Sequence, residues 1–270
     1  MPLVLRYRGQ TSIPVEVEGF LPEVVRGHTL AQIERIEIFH GNQKCALGDF
    51  FSVSGSADDA CFEFEGDLSG VHWIGAKLAA GEIRIEGSAG RHVGSEMTGG
   101  TIHVAGDVSD WVGGEMHGGL IHVRGRAGHF VGAAYRGSKR GMTGGTILVH
   151  GPVGDETGHT MRRGLIAVGG AGDFTGLNMI AGTVPVFGPV GTRTGANMRR
   201  GTLGLFGEAP VRLLPTFRPG NCDKLLVLQL VFAELRRLGY PFDESLCERA
   251  YRMHHGDLVT GGRGEVLVPA

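Results

Sequence analysis

Residues 97–125 read MTGGTIHVAGDVSDWVGGEMHGGLIHVRG. Within that stretch GGTIHVAG returns as GGLIHVRG, and the pattern extends in both directions. GEIRIEG begins at Gly81, GTILVHG at Gly145, GLIAVGG at Gly164, GTVPVFG at Gly182 and GTLGLFG at Gly201. With Gly100 and Gly119, these starting glycines are separated by 19, 19, 26, 19, 18 and 19 residues. A second register holds Gly94, Gly113, Gly132, Gly158, Gly176 and Gly195. A third holds Met97, Met116, Met142, Met161, Met179 and Met198, six of the eight methionines in the chain.

Each unit opens on an alternating strand, with inward pairs Ile83/Ile85, Ile102/Val104, Ile121/Val123, Ile147/Val149, Ile166/Val168, Val184/Val186 and Leu203/Leu205. Period two puts each pair on one face. A strand of four residues cannot bury that face alone, but stacked copies bury it continuously. A turn of 19 residues at about 3.3 Å per residue has a perimeter near ~60 Å, suited to a flattened or triangular coil. Parallel connections wind right-handed by default. The expected fold is therefore an all-β solenoid, a right-handed parallel β-helix. Methionine suits its interior as a flexible filler, and glycine suits its sharp bends. A phosphate-binding loop is excluded, because every glycine segment leads into another strand and none into a helix.

Glycine, at 48 of 270 residues, far exceeds its usual share of roughly 7% and has no collagen period. A formal charge of −2 argues against a nucleic-acid-binding polycation. No apolar run is long enough to span a bilayer, and MPLVLRYRGQ lacks a secretory pattern, so the expectation is a cytoplasmic chain with no membrane role. Cys45, Cys61, Cys222 and Cys247 are scattered and read as reduced thiols.

The period places three parts: 1–60 as an N-terminal cap with irregular first rungs, 61–207 as the regular β-helix, and 208–270 as a linker plus a C-terminal helical tail. Leu3–Tyr7 reads as a strand, and Thr29 with Gln32 as a capping box opening a short helix. In the tail, NCDKLLVLQLVFAELRRLG reads as a helix with Asn221 as N-cap and Gly239 as its stop. The helix is apolar on most sides and needs cover. The outward strand positions supply it: Leu148, Pro185, Phe187 and Phe206 form an apolar strip expected to lie under the tail helix, a partner, or both.

Chemistry-bearing residues are few. Asp155 and Asp173 fall one rung apart, about 4.8 Å, as an acid–base pair requires, yet both lie in glycine-rich bends where aspartate is a common turn residue. His103 and His122 stack without a third metal ligand in register, and His254-His255 reads as polar surface. No catalytic or metal residues are assigned. One turn breaks the period, with seven extra residues within AAYRGSKRG between Gly132 and Met142. Such an insertion becomes a surface loop, often on the contact face. It carries Arg136, Lys139 and Arg140, and Arg162, Arg163, Arg199 and Arg200 precede starting glycines, so the seven cations are expected to line one edge.

The run DLSGVHWIGAKLAAGEIRIEG, the units MTGGTIHVAG, MHGGLIHVRG and MRRGLIAVGG, and the insertion GAAYRGSKRGMTGG resemble the C subunit of formylmethanofuran dehydrogenase. They are most similar to its bacterial form, in the formyltransferase/hydrolase complex. The same glycine repeat occurs at the C-terminus of the large subunit of glutamate synthase. The resemblance implies a non-catalytic scaffold in tetrahydromethanopterin-linked one-carbon metabolism, from formaldehyde to formate. Its implied partners are the amidohydrolase-like A subunit, the B subunit, and the formyltransferase D subunit of that complex. It further implies a methanofuran-type carrier, with metal held elsewhere in the assembly and no cofactor on this chain. The basic edge would then contact a partner or the anionic tail of that carrier. Two alternatives stand beside it: the C subunit of a tungsten or molybdenum formylmethanofuran dehydrogenase, and an independent β-helix enzyme acting on carbohydrate.

Overall fold

The computed structural model describes residues 1–270. Strands dominate, and thirteen of them form one sheet. From one edge to the other the order is Arg218–Asp223, Tyr251–Gly256, Arg263–Pro269, Arg200–Leu205, Thr183–Val186, Leu165–Gly170, Thr146–Pro152, Leu120–Val123, Thr101–Val104, Glu82–Ile85, Cys61–Glu65, Leu3–Tyr7 and Phe51–Gly55. Every pairing from Arg263–Pro269 through to Leu3–Tyr7 is parallel. Antiparallel strands close both ends.

The register follows the sequence repeat. Ile83 faces Ile102, Ile102 faces Ile121 and Ile121 faces Ile147, so each inward pair lies on the next. All six repeat methionines and all seven inward pairs are buried in a single core. Away from the strands, the bends also bond one repeat to another, as Gly113 N–H donates to the Val93 carbonyl and Trp111 N–H donates to the His129 carbonyl. These two bonds run in opposite directions along the stack. Alternation of this kind requires an unusual backbone. Except at Gly132, where the inserted loop begins, residues two before, at and two after the second-register glycine have positive φ, as in His92 (65°), Gly94 (65°) and Glu96 (57°). The side chains at the flanking positions are not buried, which relieves crowding around a conformation that L-residues otherwise avoid. The central position has no such freedom. A methyl on Gly113 would lie 2.5 Å from Ile147 Cδ1.

The N-terminal region joins the stack directly, because Leu3–Tyr7 pairs in parallel with Cys61–Glu65 and in antiparallel fashion with Phe51–Gly55. A second sheet of four strands, Gln43–Ala46, Glu37–His40, Val15–Glu16 and Val71–His72, packs beside it. The helix Leu30–Glu34 opens with the complete Thr29/Gln32 capping box.

The tail departs from expectation in two places. Asn221 is not an N-cap: it lies in the strand Arg218–Asp223, which pairs with Tyr251–Gly256, and the helix runs Leu226–Arg237 with Leu225 at its cap. Edge pairing with a strand distant in sequence outweighed the local capping signal. The tail is also only partly helical, since Arg263–Pro269 returns to lie parallel to Arg200–Leu205 as a further member of the stack. Gly239, at φ 71°, follows the helix as its stop.

Candidate functional site

Three outer surfaces carry the side chains that the repeat does not use for its core. The first is the apolar strip. Leu148, Ala167 and Phe206 are buried with Leu228, Phe232 and Leu235 of the tail helix and with Tyr240, Leu246, Tyr251 and Leu267. Phe187 packs at its edge, with ring centres 5.4 Å from Phe206 and 5.3 Å from Tyr240. Pro185 is buried in the same column. The column narrows from Leu148 through Ala167 and Pro185 to Gly204, and the Phe206 ring occupies the space that a Cβ on Gly204 would fill. The tail of this same chain therefore covers the strip, and Tyr240 donates its hydroxyl to the Val149 carbonyl at 3.2 Å. Burial raises the Tyr240 phenol well above its ordinary range.

The second surface is the basic edge. Arg136, Lys139 and Arg140 are exposed on the inserted loop. Arg140 lies with Arg162 and Arg163 around one open cleft of about 480 Å³, lined also by Glu115, His117, Ser138 and Thr143 and by no apolar side chain. Arg199 and Arg200 lie further along the stack, and Arg200 pairs in register with Arg263. Arg263 extends the edge, but it lies outside the repeat units and so had no periodic signal. None of these eight cations has a carboxylate within 4.0 Å.

The third surface is an aromatic column that the sequence reading did not pick out. His92, Trp111 and Phe130 each stand two residues before a register glycine, and Trp73 stands two before Gly75, one repeat earlier; that spacing is the signal that would have found them. Trp73 and His92 stack at 3.9 Å and 7°, and Trp111 and Phe130 at 4.5 Å and 18°. Tyr135, from the inserted loop, lies 4.7 Å from Trp111. Its hydroxyl donates to Ser95 Oγ at 2.8 Å and sits 2.9 Å from His92 Nδ1, while its backbone N–H donates to Glu115 Oε1 at 2.8 Å. Burial pushes Tyr135 up to about 12 and, aided by the nearby His72 and Arg91 charges, holds His92 down at about 4. The Tyr135 ring, hydroxyl and backbone N–H thus anchor the loop to the column and to Glu115.

The acidic column has a structural use. Asp110 Oδ1 accepts from His129 N–H at 2.9 Å, Asp155 Oδ1 from Asp173 N–H at 2.8 Å, and Asp173 Oδ1 from Thr192 N–H at 2.7 Å. Each carboxylate stitches its own bend to the next. The His103 and His122 rings lie with centres 5.8 Å apart and planes tilted by 47°, and His122 Nε2 meets His150 Nε2 at 2.7 Å. Strand register pairs His122 with Leu148, so the reach of His150 across to it was not visible from the columns. Burial, with charges from His150, His103 and Arg124, holds His122 at about 4. No three His, Cys, Asp or Glu side chains come together as a set able to hold a metal ion. No helix is long and apolar enough to cross a membrane.

The repeat that carries these surfaces is shared with known proteins. Residues 71–210 match the GXGXG motif family, and the chain belongs to it. It is 37% identical over 95 residues to the C subunit of tungsten-containing formylmethanofuran dehydrogenase 2 from Methanothermobacter thermautotrophicus, covering 34% of this chain and 35% of that one. To the C subunit of molybdenum-containing formylmethanofuran dehydrogenase 1 from Methanothermobacter marburgensis it is 40% identical over 91 residues, covering 33% and 23%. The chain thus spans about a third or less of the length of the curated relatives it matches. Among solved structures it resembles a chain of the formyltransferase/hydrolase complex (FhcABCD) from Methylorubrum extorquens, in complex with methylofuran. That likeness has a TM-score of 0.92 and 34% identity over 99% of both chains.

Proposed function

We propose that this chain is the scaffold subunit of a formyltransferase/hydrolase complex in one-carbon metabolism. The observation that carries the reading is the end-to-end likeness, 99% of both chains, to a chain of FhcABCD. The regions outside the repeat, the N-terminal cap and the mixed tail, fall within that match. In this reading the fold is a right-handed parallel β-helix, with residues 1–60 capping one end, 61–207 forming the regular coil and 208–270 wrapping the other. The bonds between bends, as well as between strands, support a closed coil over an open sheet.

The partners are the amidohydrolase-like, B and formyltransferase subunits of the same cytoplasmic complex. A methanofuran-type carrier and tetrahydromethanopterin serve the assembly, and the metal belongs to one of those partners. The chain itself performs no catalysis: the carboxylates of Asp110, Asp155 and Asp173 are committed to backbone N–H groups of neighbouring bends. Lys139, Arg140, Arg162, Arg163, Arg199 and Arg200 contact acidic surface of a neighbouring subunit, for which their lack of internal carboxylate partners leaves them available.

Mild affinity purification of the native chain, followed by mass spectrometry and a formyl-transfer assay, tests this. Stoichiometric recovery of amidohydrolase-like and formyltransferase subunits, with no activity in this chain alone, is expected. Recovery of the chain by itself, monodisperse, would overturn the proposal.

A further inference from the structure

Between the aromatic column and the inserted loop lies a cavity of about 570 Å³, within the range typical of small-molecule sites. Its walls include the Trp111, Phe130 and Tyr135 rings, and its polar lining comes from Arg136, Ser138, Glu156 and His159. The column itself explains the space. Four successive repeats place Trp73, His92, Trp111 and Phe130 at one position, and the next repeat places Glu156 there instead. Glu156 Oε2 bonds His159 Nδ1 at 2.7 Å, so it does not continue the stack over Phe130. The ring series resumes one repeat later at Phe174, where Arg193 sits 5.1 Å from the ring centre. The inserted loop, pinned by Tyr135, then holds Arg136 beside the break with no carboxylate partner of its own.

We infer that this cavity binds a small planar aromatic acid that also carries a hydrogen-bond donor. The ring takes the place in the column that Glu156 leaves, stacked on Phe130. Its anionic group meets the unpaired Arg136 guanidinium, which suits a carboxylate in a two-bond fork. Its donor meets the Glu156 carboxylate, which accepts and cannot donate when ionised. The site adjoins the cleft around Arg162 and Arg163 at Ser138 but has its own apolar lining, and a scaffold role neither requires nor supplies it.

The chain carries its own reporter, because Trp73 and Trp111, its only two tryptophans, both stand in this column. The test is titration of the full chain with 4-hydroxybenzoate, read by tryptophan emission. The control is trans-4-hydroxycyclohexanecarboxylate, with the same polar groups and no aromatic plane. A saturable change is expected with half-saturation in the low-millimolar range, as befits a fragment of about ten heavy atoms. Arg136→Ala should weaken it at least about tenfold and Phe130→Leu by several-fold, with thermal melting of Arg136→Ala unchanged. Should the chain stay soluble only with its partners, saturation-transfer NMR on the intact complex reads the same ligands and variants. No saturable response, an equal response to the saturated acid, or binding that survives Arg136→Ala would each overturn the inference.

Discussion

Two columns run the length of the repeat with the same period, and they behave oppositely. The inner one holds methionine at six successive repeats, every copy fully buried. The outer one, two residues before the register glycine, holds Trp73, His92, Trp111, Phe130, Glu156, Phe174 and Arg193. Both belong to the same tight bend. Inside, the neighbours above and below are copies of the same unit, so one side-chain shape solves every level. Outside, solvent or a loop completes the contact, and the residue is free to differ. Regularity marks what the stack needs, and variation marks what it can present.

The largest effects should come from the buried side of that contrast. Phe206→Ser, under the tail, should cost about 3–5 kcal/mol and expose the helix Leu226–Arg237 to limited proteolysis. Met142→Ala, in the inner column, should cost about 2–5 kcal/mol in urea unfolding, whereas Phe130→Ala in the outer column should cost only about 1 kcal/mol. Equal losses at these two positions would erase the distinction.

Gly113→Ala should cost about 1–3 kcal/mol. Its φ of 59° and the approach of Ile147 Cδ1 from the next repeat, 2.5 Å from the added methyl, both contribute. Acid should then act through the outer histidines. His92 and His122 are held at about 4 in the folded chain, against 6.5 for a free imidazole. The unfolded chain takes up protons first as pH falls, so melting temperature should be level above about 6.5 and drop between 6.5 and about 4. His122→Gln should flatten that drop. Smallest of all, Tyr135→Phe removes the bonds to Ser95 and His92 and should cost about 1 kcal/mol while loosening the inserted loop, seen as faster hydrogen exchange from residues 135–141.

The interior was legible because its signal is periodic and local. Ile83, Ile102 and Ile121 announce their stacking by spacing alone, and the structure pairs them in that order. The seven extra residues before Met142 announced a loop for the same reason. What the sequence did not reveal lies where contacts are long-range and singular. Asn221 carried a good local capping signal, yet its segment is claimed by Tyr251–Gly256 as a strand partner. Arg263–Pro269 joins the stack from outside the repeat, bringing Arg263 beside Arg200 with no period to foretell it. The aromatic column is an intermediate case. Its spacing was present, but its residue types differ from repeat to repeat, so identity concealed what position would have shown. Tyr135 was legible only as part of an insertion, because nothing local says that it folds back onto Trp111.

In the proposed scaffold, the inside of the stack is structural and the basic edge meets other subunits. Electron cryo-microscopy of the native assembly tests it most directly. Neighbouring chains should be seated against Lys139–Arg140, Arg162–Arg163 and Arg199–Arg200, with acidic side chains facing them and no residue of this chain among the reacting groups. A map that left this edge in solvent, or placed Asp155 and Asp173 in an active site, would contradict it.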